Sequence, residues 1–311
     1  MPDLADVCVL LPTLNEAETI GDVIDGFRAE GFEHVLVVDG DSTDGTRDIA
    51  REHGARVLTQ SGSGKGQAVR EGVEHVEEPY VLMADGDGTY RPEDAEAMLE
   101  PLFDGRTEHV IGNRFADMED GAMSRLNTVG NRLINRLFAA VHGRNLRDIL
   151  SGYRAFTRSS FERFQLDADG FGIETELAVE CIRQGVSTEV VPIRYEARPG
   201  GSETNLHPLK DGGRIVLTLY TLTKTNNPIF YFGSVAVAGT ALGTVLAAYV
   251  GYDYFVRGIS HEVIALLSVF FILLSMQLLM FGVLSDIIVS VNREQTRRLE
   301  EISDRLRELE D

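Results

Sequence analysis

The chain has 311 residues, 43% of them apolar, and a formal net charge of −20 with a pI near 4.7. That length can bury one sizeable core and still leave room for an appendage. The charge excludes a nucleic-acid binder, because such proteins neutralise phosphates with clustered Lys and Arg, whereas acid spread along a soluble surface is what a salt-adapted cytoplasm favours.

Cys8 and Cys181 stand far apart without metal-ligand spacing, so they are read as small buried apolar residues in a reducing compartment. The first residues, MPDLAD, lack the basic and apolar regions of a signal peptide, so the large domain is expected in the cytoplasm. Over residues 7–191 short apolar runs alternate with amphipathic stretches. VCVLLP precedes residues 16–30, VLVVD precedes 46–53, YVLMAD precedes 92–103, and HVIG follows. This rhythm predicts a mostly parallel sheet covered by helices, an α/β fold whose ligands gather at the carboxyl ends of the strands.

Those strand ends are acidic or glycine-rich. PTLNE brings Pro12, Asn15 and Glu16, and VLVVDGDSTDGT brings Asp39, Asp41 and Asp44. Carboxylates there can accept hydrogen bonds from a ribose or a base, a role expected of Asp39 and Glu16, while Asp41 and Asp44 are expected to be structural. SGSGKGQA at residues 61–68 carries Lys65 but fails both the phosphate-loop and the GxGxxG patterns, which disfavours a kinase, a P-loop nucleotidase and a dinucleotide dehydrogenase. Lys65 then either neutralises a diphosphate or sits in a flexible surface loop. In Asp85-Gly86-Asp87 two carboxylates two residues apart in extended chain point the same way. Such a pair suits Mg²⁺ or Mn²⁺, and an acidic turn is the alternative.

Residues 229–250 and 263–285 contain no Asp, Glu, Lys or Arg and no polar stripe, so each reads as a transmembrane helix, with Gly233, Gly239 and Gly243 allowing close approach. Lys210, Arg214 and Lys224 precede the first span and Arg293, Arg297 and Arg298 follow the second, whereas the loop 251–262 has only Arg257. Both termini are therefore expected in the cytoplasm. Residues 123–141 and 209–225 mix apolar residues with Arg or Lys. The second stretch is read as interfacial; the first fits either a lipid interface or a helix packed on the sheet. In the tail, Leu299, Ile302, Leu306 and Leu309 fit either a short pairing seam between copies or a solvated helix.

Taken in order, PTLNE at 12–16, DGDSTDGT at 39–46, GKGQA at 64–68, DGD at 85–87, GNR at 112–114, SGYR at 151–154 and FGIETEL at 171–177 resemble the family 2 inverting glycosyltransferases of the GT-A fold. They are most similar to the polyprenyl-phosphate sugar synthases typified by dolichyl-phosphate mannose synthase, and the two-helix appendage and acidity look like the archaeal AglJ-type members. The resemblance implies a catalytic domain over 1–206, an interfacial segment over 207–228, a transmembrane hairpin over 229–285 and a cytoplasmic tail over 286–311. It further implies transfer of a hexose from a nucleotide-sugar, UDP-glucose ahead of GDP-mannose, to dolichyl or polyprenyl phosphate.

By the same resemblance Pro12, Asn15, Glu16 and Asp39 lie toward the base, Lys65 near the nucleotide, and Asp85 and Asp87 toward a Mg²⁺ or Mn²⁺ ion and the diphosphate. Arg114, Ser151 and Arg198 lie where the family holds the lipid phosphate, and Glu174 where a carboxylate meets sugar hydroxyls. Two positions depart from the pattern. Asp39-Gly40 stands where members often have paired Asp, and Thr89 where some have Gln as a third metal ligand. A lipid phosphate is already anionic, so no essential base is expected, with Asp148 in reserve and an arginine-orienting role favoured for it. The competing readings are a processive or hydroxyl-directed transferase, disfavoured by the absence of Trp, and a nucleotide-sugar-binding membrane protein without turnover.

Overall fold

The structure, a computed structural model, describes residues 2–167, 172–199 and 227–310, with side chains in the last helix as far as residue 291. Most of the expected interfacial segment, the flanking Lys210, Arg214 and Lys224, the side chains of Arg293, Arg297 and Arg298, and the apolar seam of the tail lie outside the described residues. The chain divides into two units, Met1–Leu219 and Tyr220–Asp311.

In the first unit the apolar runs become strands: β1 Val7–Thr13, β2 His34–Asp39, β3 Arg56–Thr59, β4 Tyr80–Met83, β5 His109–Met118, β6 Arg154–Thr157 and β7 Thr188–Tyr195. They form one sheet in the order β3-β2-β1-β4-β6-β5-β7. β6 alone runs antiparallel to its neighbours, with Met83 opposite Arg154. The expected mostly parallel sheet is present, and the reversed strand brings the start of β6 to the carboxyl end of β4.

Alternation along each strand divides the core between two faces. Val7, Val9 and Leu11 of β1 join Val35 and Val37 under α1 (Ile20–Ala29), α2 (Thr46–Glu52) and α4 (Ala95–Phe103). Cys8, Leu10, Leu36 and Val38 face α3 (Lys65–Glu74), α6 (Arg158–Glu162) and α7 (Ile173–Arg183). Cys8 is a buried packing residue whose thiol is pushed up to about 12, chiefly by burial.

α5 (Arg125–His142) starts at Ser124, whose hydroxyl accepts from the Asn127 amide, and stops at Gly143 with φ 68°. Its inner face buries Ile134, Phe138 and Val141, while Leu126, Val129, Leu133 and Leu137 remain exposed. The helix therefore has the packed face of one reading and the free apolar stripe of the other.

The second unit consists of two helices, Pro228–Tyr252 and Glu262–Glu310, joined by a π turn, Asp253–Arg257. Each contains a stretch long and apolar enough to cross a membrane, Pro228–Arg257 and Glu262–Val291, of which only 11% is buried. This distinguishes them from core helices of a soluble fold. The second helix runs unbroken to Glu310, through the stretch expected to form the tail. Gly243 lets the helices close, since a Cβ there would lie 2.8 Å from Ile272 Cγ1 and 2.9 Å from the Ser268 carbonyl. Gly233 meets nothing within 4 Å, so it plays no part in this packing; Gly282, against Phe232, does.

A tighter constraint joins α3 to the sheet. A Cβ on Gly72 would come within 2.5 Å of Leu10 Cδ1 and 3.0 Å of Val38 Cγ2. Gly72→Ala should therefore destabilise the first unit by roughly 1 to 3 kcal/mol through overpacking. Denaturation of the detergent-solubilised chain measures this, and an unchanged midpoint would contradict the close approach.

Candidate active site

At the carboxyl edge of the sheet two loops are stitched together. Asn15, with φ 56°, turns its amide to Ser42 Oγ at 2.8 Å and accepts from the Thr43 amide at 2.9 Å. Asn tolerates this left-handed conformation better than most residues. The Glu16 amide donates to Thr46 Oγ1 at 2.9 Å, and the Ala17 amide to Asp44 at 3.1 Å. Asp44, read as structural, thus bridges the loops as well as bonding the Thr46 amide at the start of α2.

Asp39 is fully buried, with Oδ1 accepting from the Ser42 amide at 2.9 Å and Oδ2 from the Ser42 hydroxyl at 2.5 Å. Arg47 lies 3.4 Å from Oδ1. Both Asp39 oxygens thus already accept hydrogen bonds within the loop. Pro12 lies inside β1, paired in register with Val38.

The next turn follows β4. A Cβ on Gly86 would come within 2.5 Å of Thr13 Cγ2, and the Thr19 hydroxyl donates to the Gly86 carbonyl at 2.7 Å. The chain turns here instead of staying extended, and each carboxylate meets a different cation. Asp85 pairs with Lys65. Asp87 turns Oδ1 to the Thr89 hydroxyl at 2.6 Å, and its Oδ2 accepts from Arg198 Nη2 at 2.8 Å and Nε at 3.1 Å. Arg198 Nη2 also lies 3.3 Å from Glu16. Glu16 is raised to about 7, first by burial and then by Asp87, Asp85 and Asp44, against the pull of Arg198.

Asp85 and Asp87 are hard oxygen donors of the kind Mg²⁺ and Mn²⁺ take. Among the described residues no group of three or more His, Cys, Asp or Glu is gathered to hold a metal ion. An ion held there would draw Asp85 from Lys65 and Asp87 from Arg198, with phosphate or water oxygens completing its shell.

Lys65 is the first residue of α3 and is partly buried, while residues 61–64 before it are exposed. Its Nζ is shared between Asp85 and Glu174 Oε1, the latter at 2.6 Å. Burial acts to lower its pKa, but the attraction of Asp85 and Glu174 prevails and raises it, so the ammonium stays charged. Gly152 closes over the pair, and its amide donates to the Tyr90 hydroxyl at 2.9 Å.

A register shift in β5 between Asn113 and Asp117 carries Arg114 out of the ladder. Asp148 receives it completely. The Arg114 amide (3.1 Å) and Nε (2.8 Å) donate to Oδ2, and Nη2 to Oδ1 at 2.8 Å. The guanidinium also stacks over Tyr195, 5.4 Å from the ring centroid. Asp148 thus has the arginine-orienting arrangement expected of it. Ser151 has no exposed surface; its Oγ accepts from the Tyr153 amide at 3.3 Å and its carbonyl from Arg154. Arg154 is likewise buried, bonded also to the Ile149 and Glu174 carbonyls. Thr19, Tyr90 and Tyr195 carry no motif in the sequence, and Gly152 stands in SGYR without a role of its own.

The class of protein defined by this sheet and its acidic carboxyl edge is matched by the family model for glycosyl transferase family 2, over residues 8–164. The chain is 63% identical over 303 residues to Glycosyltransferase AglJ of Haloferax volcanii, covering 97% of this chain and all of that one. It is 34% identical over 212 residues to the Dolichyl-phosphate hexose transferase of the same organism, covering 68% and 90%. Among solved structures, glucosyl-3-phosphoglycerate synthase from Mycobacterium tuberculosis, in complex with Mn²⁺ and UDP-glucose, aligns at 25% identity with a TM-score of 0.57, over 70% of this chain and 78% of that one. The chain belongs to glycosyl transferase family 2 and is a glycosyltransferase.

Two substitutions test the site. Asp148→Ala leaves the Arg114 guanidinium buried without its partner and should cost about 3 to 5 kcal/mol, read as a lower denaturation midpoint; a neutral result would show that the pair does not hold the β5 bulge. In Gly152→Ala the added Cβ would sit 2.6 Å from Asp85 Oδ2 and 2.9 Å from Lys65 Nζ. Turnover should fall sharply while thermal stability changes little, and wild-type turnover would remove Gly152 from the site.

Proposed function

We propose that the chain transfers a hexose from a nucleotide-sugar to dolichyl or polyprenyl phosphate with inversion, forming a lipid-phosphate sugar for protein N-glycosylation. UDP-glucose ranks ahead of GDP-mannose as donor. One observation carries this reading: each carboxylate around the cleft is already engaged. Asp85 and Glu174 hold Lys65, Asp87 and Glu16 meet Arg198, and Asp148 holds Arg114. A hydroxyl acceptor needs a base to take its proton, but a phosphate arrives ionised and needs only aiming and partial neutralisation. The name of the dolichyl-phosphate hexose transferase relative supports the same acceptor class, and the synthase bound to Mn²⁺ and UDP-glucose supports the donor.

In this mechanism an acceptor phosphate oxygen attacks the anomeric carbon as the bond to the donor's β-phosphate oxygen breaks, and the nucleoside diphosphate leaves with the bonding electrons. Lys65 stabilises the charge on that leaving group. Arg114, fixed by Asp148, and Arg198 aim the acceptor phosphate. Glu174 meets the sugar hydroxyls, and Glu16 with Asn15 and Pro12 borders the base. Ser151 acts through the turn it shapes. A Mg²⁺ or Mn²⁺ ion held by Asp85 and Asp87 would supply Lewis-acid stabilisation of the diphosphate. The two apolar helices hold the chain in the membrane, with the catalytic unit and both termini on the cytoplasmic side and residues 251–262 opposite.

Purified protein presented with nucleotide-sugars, Mg²⁺ or Mn²⁺ and dolichyl phosphate should label a short phosphate-linked lipid; a labelled polymer, or no transfer, would sink the proposal. Asp87→Asn should abolish transfer with the fold intact. Arg198→Ala should weaken use of the acceptor between roughly tenfold and a few hundredfold while largely sparing donor binding, the value of one or two charge-assisted bonds. Lys at that position should restore only part, lacking the planar fork. Unchanged acceptor kinetics would place the phosphate elsewhere.

A further inference from the structure

Arg154 opens β6 and takes no part in the chemistry above. It has no exposed surface, and among the described residues it pairs with no carboxylate. Its acceptors are all neutral. Nε donates to the Ser151 carbonyl at 3.0 Å, Nη2 to the carbonyls of Ile149 at 2.7 Å and Glu174 at 2.8 Å, and Nη1 bonds His109 Nε2 at 3.2 Å. A guanidinium can only donate, so Nε2 accepts and the imidazole proton sits on Nδ1, an atom without a partner among the described residues. His109 is itself fully buried and stacked on Phe156, with ring centroids 5.5 Å apart. Burial, and then Arg154, hold its pKa well below the ordinary value, so it stays the neutral acceptor this bond requires.

Burying a cation without a carboxylate is costly, and an apolar side chain of similar volume would fill the same space without that cost. What the guanidinium adds is geometry, because a planar fork fixes several acceptors at set angles. Each carbonyl it holds belongs to the charged constellation or adjoins it. Ile149 follows Asp148, which holds Arg114, and Glu174 holds Lys65. The Ser151–Gly152 peptide is gripped at both ends, its carbonyl by Arg154 and its amide by the Tyr90 hydroxyl, where Gly152 lies against Asp85 and Lys65. We propose that Arg154 is a positioning residue for the transfer reaction: its fork sets the spacing between Lys65 at the leaving group and Arg114 at the acceptor, with His109 holding the fork in place. The inference rests on those two roles, but not on which acceptor the enzyme uses.

Nucleoside diphosphate released by the full detergent-solubilised chain from UDP-glucose or GDP-mannose, with dolichyl phosphate and without it, tests this. Rates are counted per folded molecule, and the denaturation midpoint is measured for each variant. Arg154→Lys keeps a charge but not the fork, so kcat should fall about a hundredfold, the cost of a misplacement of about 1 Å. The donor KM should change by less than about threefold. His109→Leu should lower kcat about tenfold through the loosened fork, and His109→Gln, whose amide oxygen can accept from Nη1, should recover most of that loss. Both His109 replacements are neutral and leave Arg154 in place, so this pair decides the matter if Arg154→Lys fails to fold. Wild-type kcat in Arg154→Lys or His109→Leu, with only a lowered midpoint, would reduce Arg154 to packing and overturn the inference. Equal losses in His109→Leu and His109→Gln would overturn it too. Release that requires a hydroxyl acceptor, with dolichyl phosphate inert, would instead sink the acceptor proposed above, while the same comparison of variants still decides the role of Arg154.

Discussion

A partly buried ammonium shared by two carboxylates organises the site. Lys65 comes from the start of α3, Asp85 from the turn after β4 and Glu174 from α7, so one cation fixes three segments widely spaced in the chain. Its environment is costly to desolvate, and it remains charged only because both carboxylates stay close. Gly152 is confined by the same pair. The conformation of the strand edge therefore depends on keeping the three charges together.

Arg114 with Asp148 and Arg198 with Asp87 and Glu16 repeat the arrangement on either side. These pairs suit a protein whose acid far exceeds its base, since each scarce cation is placed where carboxylates would otherwise repel one another. In a cleft built this way each of these carboxylates is matched by a cation.

The two units obey different solvents. In the first, alternation along strands puts apolar residues on two faces, each covered by helices. In the second, apolar residues face outward and the helices approach through Gly243 and Gly282, as expected where lipid supplies no hydrophobic drive for helix association.

The sequence by itself determined the sheet, the family and the two apolar helices, because strand periodicity, a series of strand-end motifs and a length of uncharged chain are all local properties. It also marked most residues of the cleft, including Lys65, Asp85, Asp87, Arg114, Glu174 and Arg198. Which of them meet was decided only by the tertiary structure. Asp85 and Asp87, adjacent in a motif and expected to point together, part to different cations because Gly86 packs against Thr13 and the chain turns. Asp39, expected at the base, also accepts from the amide and hydroxyl of Ser42, three residues on. Arg114 is presented by a register shift in β5 that depends on pairing with β7. Pairings such as Lys65 with Glu174 or Asp87 with Arg198 span more than a hundred residues, and a carboxylate's partner across that distance is set by topology and burial, neither of which a local pattern contains.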